Sequence, residues 1–329
     1  RAIGVDVGGT FTDVALSLDG DLVTAKVPST DDQSEGVAAG IEKACEAAGV
    51  DPASVTEFSH AMTVSVNALL EGDGARTALV TTEGFRDVLE IGRQTRPSLY
   101  DLDAEKPAPL VPRRRRFEVA ERASPGGIER RVDDEEIESL VDDLRDAGVE
   151  SVAVCLLHAY AHPENEARVA DALRAALDVP VSASNEVLPE FREYERTATT
   201  VVDAYVRPAI DGYVGRLTER ARETGLPQPR IMQANGGVTD ADTVRRNAVT
   251  TVLSGPAAGV VGASATAGTD ADREGLITFD MGGTSSDVSL VRDGEVERTT
   301  GSAVADRPIG VPMVDVETVG AGGGSIAWV

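Results

Sequence analysis

The chain has 329 residues, with 56 Asp and Glu against 31 Lys and Arg, and a formal net charge of −25. That length can bury a substantial core and suits about two domains, and an apolar share of 41% excludes a disordered chain. The negative charge argues against nucleic acid or an anionic membrane as a partner, and no apolar run approaches membrane-spanning length.

Among the basic residues only Lys26, Lys43 and Lys106 are lysine. Acidic surface with so little lysine fits a protein kept soluble in high salt, or an acidic protein from a GC-rich genome. The two cysteines, Cys45 and Cys155, fall in a helical and a strand pattern as small buried hydrophobes, not as a disulfide framework or zinc site. These features predict a reducing cytoplasm. The start at Arg1 without a methionine, and the stop at Val329 just after a glycine run, suggest a trimmed or partial polypeptide.

In chain order, Asp6-Val-Gly-Gly-Thr-Phe-Thr-Asp13 reads as a short apolar strand, a Gly-Gly-Thr turn and a second strand, closed by the Asp19-Gly20 turn. Thr30 and Gln33 have capping-box spacing for a helix carrying Val37 and Ile41 and stopped by Gly49. Phe58 to Thr63 leads into a helical stretch through Asn67, Leu69 and Leu70. Ala78 to Thr82 is a buried-strand pattern that ends in the Glu83-Gly84-Phe85 turn. Residues 93–131, interrupted by Pro97, Pro107, Pro109, Pro112 and Pro125, predict a long irregular excursion. Its run Arg113 to Arg116 is read as a solvated, locally paired loop.

Regular alternation follows: a helix capped at Asp133 with Ile137, Leu140, Val141 and Leu144 on one face, a strand over 149–157, a helix over 163–177 and a strand over 179–184. Near-continuous apolar strands alternating with helices predict α/β layering on a largely parallel sheet. Residues 190–224 predict a long helix, kinked at Arg207-Pro208, with Tyr205, Tyr213 and Leu217 facing the core. A strand at Arg230 to Gln233 enters the Asn235-Gly236-Gly237 turn. Leu253 to Gly262 opens a helix of small residues, and a glycine loop occupies Val319 to Ser325.

Between these last two, the first hairpin returns. Ile3 to Gly20 and Ile277 to Gly294 share ten identities in eighteen positions, where ordinary residue usage predicts roughly one. Paired glycines let backbone amides approach anionic oxygens closely, and Thr10 and Thr284 add hydroxyl donors. Asp6 and Asp280 end their strands as carboxylates, which would repel polyphosphate unless a hard cation such as magnesium lay between. Two such hairpins predict a nucleotide triphosphate gripped from both sides.

This arrangement resembles the actin, sugar kinase and heat-shock ATPase superfamily. More narrowly, the chain resembles the ATP-dependent hydantoinase A and 5-oxoprolinase family, which includes acetone and acetophenone carboxylase subunits. The residues that carry the resemblance are Asp6 to Asp13, Thr77 to Asp87, Leu188 to Thr197, Leu253 to Val260, Phe279 to Thr284 and Thr318 to Ser325. One departure is His60-Ala-Met-Thr63, where the family has His-Gly-Thr-Thr.

The resemblance implies an actin-like, ribonuclease H-like α/β fold of two related lobes. The first would span 1–252, and 253–329 would be the connecting helix and the start of an unfinished second lobe, with the adenine site beyond it. It implies ATP and Mg2+ as cofactors, and ATP hydrolysis coupled to opening a cyclic amide. Asp6 and Asp280 would organise the metal and the reacting oxygen. Gly8, Gly9, Thr10, Gly282, Gly283 and Thr284 would hold phosphates, and His60, Arg93, Arg196, Asn235 and Ser254 would be candidate substrate contacts. Asp13 and Asp287 would brace their own hairpins. The implied partners are a small cyclic amide and either a second subunit or the remaining polypeptide, in an oligomer. A ketone carboxylase subunit, or a nucleotide switch regulating a partner, would need the same hairpins.

Overall fold

The computed structural model describes residues 1–30, 32–101, 103–267, 275–283 and 285–326. The chain starts with the expected hairpin, β1 (Ala2–Val7) and β2 (Phe11–Leu18), which β3 (Asp21–Pro28) extends into a meander. In its antiparallel register Ile3 faces Leu16, Val5 faces Val14 and Asp6 faces Asp13. Strict alternation puts Ile3, Val5, Val7, Val14 and Leu16 in the core. Helix α1 (Gln33–Ala48) packs on this meander and ends at Gly49, in the left-handed region at φ 65°.

Its N-cap is Asp32, which accepts a hydrogen bond from Ser34 N, whereas Thr30 bonds the Gly36 amide at 3.1 Å. The capping box expected from Thr30 and Gln33 is therefore replaced by an Asx cap two residues later. Strand β4 (Glu57–Ala61) lies parallel to β1, and α2 (Val64–Glu71) follows.

Residues 77–187 form a second α/β unit. It comprises β5 (Thr77–Thr82), α3 (Val88–Ile91), β6 (Arg116–Val119), a small hairpin of β7 (Arg122–Ser124) and β8 (Gly127–Arg130), then α4 (Asp134–Asp146), β9 (Ser151–Cys155), α5 (Glu164–Ala176), β10 (Val181–Ala183) and α6 (Ser184–Val187). Its sheet has the order β10-β9-β5-β6 with every pair parallel. Every residue of β5 and of β9 is buried, as a parallel strand covered on both faces requires.

Two expectations change here. The excursion is regular in its second half, because β6 joins the parallel sheet beside β5 and the Pro125-Gly126 turn closes a hairpin. The arginine run is not uniformly solvated. Arg116 is buried, donating to Val111 O at 2.9 Å and to Glu90 at 2.8 Å, while Arg113 pairs with Asp87 on the surface.

Helix α7 (Glu193–Glu223) runs through Pro208 as one element and presents Tyr205, Tyr213 and Leu217 to the core. Then β11 (Arg230–Met232) and β12 (Val238–Asp240) complete a six-stranded sheet of order β12-β11-β4-β1-β2-β3. After α8 (Ala241–Arg246) comes α9 (Ser254–Ala267), the helix of small residues. The repeated hairpin is β13 (Gly275–Met281) with β14 (Ser286–Arg292), flanked by β15 (Glu295–Val296).

Short strands β16 (Arg298–Thr299), β17 (Ser302–Val304), β18 (Arg307–Ile309) and β19 (Met313–Val314) then carry the chain back. Val304, Ile309, Val311 and Met313 pack into the core of the first sheet. The chain thus crosses the boundary expected at 252/253 before β20 (Val316–Val319) returns to pair with β14.

Close approach of α1 to the meander depends on glycine. A methyl group at Gly40 would lie 2.7 Å from Val14 Cγ2 and 3.4 Å from Val27 Cγ2, and β-branched valine has little rotamer freedom to yield. Alanine favours a helix interior over glycine by about 1 kcal/mol, but overpacking costs ~1–3 kcal/mol. Gly40→Ala is expected to lose stability in urea unfolding. Gly215→Ala, in α7 where a methyl meets nothing within 4 Å, is expected to gain it. A gain at Gly40 would show that α1 does not seat as described.

Candidate functional site

The two hairpins turn in the same way. Gly8 N donates to Phe11 O at 3.0 Å, and at the equivalent positions Gly282 N donates to Ser285 O at 2.9 Å. Each tip is also tied down by the strand beyond it. In the first, Ser29 Oγ donates to Gly8 O at 2.8 Å and Ser29 N donates to Thr10 O at 2.9 Å. In the second, the glycine loop supplies the ties, Gly323 N to Gly282 O and Gly324 N to Gly283 O, both 2.9 Å.

These bonds occupy tip carbonyls, while among the described residues the Gly9 and Thr10 amides donate to no backbone carbonyl. Fixed amides aimed outward from a glycine turn can hold an anion. Thr284, expected to share this role, lies outside the described residues.

The second carboxylate of each hairpin is held by the residue facing it on the next strand. Asp13 pairs with Lys26 at 2.7 Å, and Asp287 accepts from Thr318 Oγ1 at 2.7 Å. Their partners across the hairpin, Asp6 and Asp280, have no such brace among the described residues, and both lie beside α9. A methyl at Gly255 would lie 3.6 Å from Asp6 Oδ1, and one at Gly259 would lie 3.9 Å from Asp280 Oδ2. Positions four apart share one helix face, so a single glycine stripe of α9 fronts both carboxylates.

The charges register this closeness. The Asp6 carboxyl is raised above its ordinary value, first by loss of surrounding water, then by the charge of Asp13, then by that of Asp280. Early and late hairpins therefore meet at one place. Among the described residues no group of three or more His, Cys, Asp and Glu is disposed to hold a metal ion.

Sequence reasoning missed Gly255 and Gly259 as facing groups. Their spacing within a small-residue helix was the available signal.

Of the five residues proposed from the sequence as substrate contacts, Ser254 stands next to Gly255 at this place, and the others do not gather around it. His60 is buried, because β4 lies inside the sheet beside β1; its Nε2 is 2.7 Å from Tyr213 Oη, and burial pushes its pKa down to about 3, so it is a neutral core residue. Ser254 is buried too. Its Oγ accepts from Met62 N at 3.4 Å and donates to Met62 O at 3.0 Å, which fixes the start of α9 against the end of β4.

Asn235 Oδ1 accepts from Gly237 N at 2.8 Å within its own turn. Arg93 donates to Glu195 at 2.8 Å and lines a separate cavity of about 700 Å³, between residues 89–110, α7 and the β17–β18 hairpin, whose lining includes neither tip. Arg196 is buried and donates to Glu190 O and Leu156 O. It is a clamp between α7 and the second α/β unit.

Beside that clamp lies a buried carboxylate that the sequence did not mark. Glu166 accepts from Leu156 N, Asn185 N and Ser184 Oγ, yet burial lifts its carboxyl from the ordinary 4.5 to about 7. A raised folded-state pKa means the folded protein holds this proton more tightly than the unfolded chain, so the contribution to stability falls as pH rises from about 4.5 to about 7. His60 acts in the opposite sense, losing stability as pH falls from 6.5 toward about 3. A comparison with Glu166→Gln cancels that shared background. Across pH 4.5 to 7 the wild type is expected to lose stability relative to the variant, measured by urea midpoints. A constant difference would show that folding leaves the Glu166 carboxyl at its ordinary value.

No helix among the described residues is long and apolar enough to cross a membrane. A family model described as the hydantoinase/oxoprolinase N-terminal region matches residues 2–177, and another, described as hydantoinase/oxoprolinase, matches residues 196–329. The caprolactamase subunit alpha of Pseudomonas jessenii is 37% identical, over 99% of this chain and 48% of its own length. The acetophenone carboxylase gamma subunit of Aromatoleum aromaticum is 35% identical, over 100% of this chain and 48% of its own. A crystal structure of ATP-dependent caprolactamase from Pseudomonas jessenii superposes with a TM-score of 0.88 at 36% identity, covering 100% of this chain and 49% of that one. The chain spans about half the length of these relatives.

Proposed function

Given that the chain belongs to the hydantoinase/oxoprolinase family, we propose that it is the phosphate-holding part of an ATP-dependent enzyme that opens a cyclic amide. The observation that supports this most is the meeting of Asp6 and Asp280 at one face of α9, each beside a glycine turn. A similarity to a caprolactamase subunit supports the substrate class.

The residues present fit magnesium. Two hard carboxylates that repel one another would both gain from a divalent cation, and magnesium keeps most of its waters while using one or two carboxylates plus phosphate oxygens. When bound, the ion would neutralise charge on the transferring phosphoryl group. The first-turn amides Gly9 and Thr10, with Gly283 opposite, would hold phosphate oxygens. The exposed Thr10 hydroxyl would add a donor.

The chemistry follows from the weakness of an amide as an electrophile. The amide oxygen takes the γ-phosphoryl group as the bond to the β–γ bridging oxygen breaks, and ADP departs. Water adds at the activated carbon and the ring C–N bond breaks, the proton passing to the nitrogen. A second water releases phosphate from the acyl phosphate so formed. Positioning and charge neutralisation are what this chain would contribute.

A ketone carboxylase reading rests on the 35% identity to an acetophenone carboxylase subunit. Product analysis with lactams, 5-oxoproline, hydantoin and acetone separates the two.

In the full-length protein, Asp6→Asn and Asp280→Asn are each expected to lower lactam-dependent ATP hydrolysis by ~10²-fold or more with the melting temperature maintained. Phosphate release close to wild type in either variant would remove that carboxylate from the reaction.

A further inference from the structure

The cavity that Arg93 lines takes its walls from distant parts of the chain: residues 89–110, α7 and the β17–β18 hairpin. The walls are fastened to one another. Gly92, at φ 53°, lies so near the Tyr194 ring that a methyl there would sit 3.2 Å from Cζ. Arg93 donates to both carboxylate oxygens of Glu195, at 2.8 and 2.5 Å, and so joins the first wall to α7. Arg307 Nη2 donates to Ala108 O at 3.2 Å and joins the hairpin to the first wall. The space of about 700 Å³ is therefore built in advance, at a size that suits a small molecule.

Its floor is apolar. Ala198, Val201 and Val202 of α7 are buried there, with Leu89 and Leu110 half-buried beside them. Its rim is charged, and some of those charges are already spent. Arg93 and Glu195 neutralise each other, and Glu90 is taken by Arg116. Arg96, Lys106 and Arg307 on one hand, and Glu105 and Asp306 on the other, form no ion pair among the described residues. Two of these cations are held by carbonyl oxygens instead, Lys106 by Ile91 O at 3.3 Å and Arg307 by Ala305 O at 2.9 Å. A neutral carbonyl orients a cation without cancelling its charge. Both signs of charge thus line one cavity and stay available to a ligand.

A simple anion there would meet Glu105 and Asp306, and a simple cation would meet Arg96, Lys106 and Arg307. A neutral molecule would leave both sets unused. The rim is answered by one molecule that carries both charges, and the floor by an apolar body between them.

From this we infer that the cavity is a binding site for a zwitterionic amino acid. Its carboxylate meets the free cations, its ammonium meets the free carboxylates, and its carbon chain lies on the α7 floor. Opening a cyclic amide releases this class of molecule, because the broken C–N bond leaves a carboxylate at one end of the chain and an amine at the other. The proposed function supplies a source for the ligand, and the site itself stands on the cavity alone.

Calorimetry on the complete natural protein, without nucleotide or lactam, tests this with 6-aminohexanoate as the probe. Hexanoate and hexylamine are its single-charge counterparts. The amino acid is expected to bind with a Kd of about 1 mM or tighter, and about tenfold more tightly than either counterpart. Lys106→Gln and Asp306→Asn, both at exposed positions, are each expected to weaken it by about threefold or more. Neither is expected to alter the melting temperature or lactam-dependent ATP hydrolysis. No binding, or equal binding of hexanoate, would overturn the inference. So would an affinity that ignores both substitutions and falls in Asp6→Asn, which would seat the amino acid at the phosphate turns. Wild-type protein that binds the amino acid but hydrolyses no ATP with lactams would keep this site and remove the proposed function.

Discussion

Two carboxylates of like charge held near one another are costly unless something between them or around them compensates. Asp6 and Asp280 both front the glycine face of α9, and the Asp6 carboxyl is raised first by loss of surrounding water, then by the charge of Asp13 and then by that of Asp280. Among the described residues neither forms an ion pair, and Lys26 acts on Asp6 only as the weakest of the charges around it. Asp13 has Lys26 at 2.7 Å, and the proposed function places a bound cation beside the two inner carboxylates. Stored repulsion of this kind is useful only if the geometry is fixed beforehand, and much of the surrounding structure fixes it.

Three devices do so. The Ser254 hydroxyl, bonded to both backbone groups of Met62, pins the start of α9 to the end of the strand beside β1. Glycines at 255 and 259 let α9 approach both hairpins. The segment of β17 to β19 brings the chain from the second sheet back into the first core, with Gly310 N donating to Thr199 Oγ1 at 2.9 Å and Val314 N to Ala234 O at 2.7 Å. The second sheet is thereby tethered on both sides of β14 and β20, and the hairpins cannot drift apart without breaking buried bonds.

What could be read in the sequence followed the strength of the local signal. The repeated hairpin, the parallel α/β unit and the core face of α7 are set by short periodic patterns and turn glycines, and these were legible. Edge strand β6 was hidden because prolines precede it, although proline excludes a strand only where it sits. Arg116 looked like its neighbours in a charged run; its burial depends on Glu90 and Val111, which only the fold brings near. The surroundings of the residues expected to contact substrate were hidden for a related reason. His60, Ser254 and Arg196 occur next to glycine-rich or family-like stretches, but each makes a hydrogen bond to a residue far away in the chain, Tyr213, Met62 and Leu156 respectively, and adjacency in sequence carries no information about that. Domain division was obscured by residues 302–313, whose strands β17 and β18 pair with each other while Val304, Ile309, Val311 and Met313 pack into the first core.

The account depends on both inner carboxylates serving one bound ion. The direct test is a double-mutant cycle on binding of a non-hydrolysable ATP analogue to the complete protein, with Asp6→Asn, Asp280→Asn and the pair, titrated calorimetrically with and without magnesium. A shared ion predicts a coupling energy of about 1 kcal/mol or more that vanishes when magnesium is withheld. Additive losses within ~0.3 kcal/mol, unchanged by magnesium, would mean that the two hairpins act on separate ligands and would contradict the account.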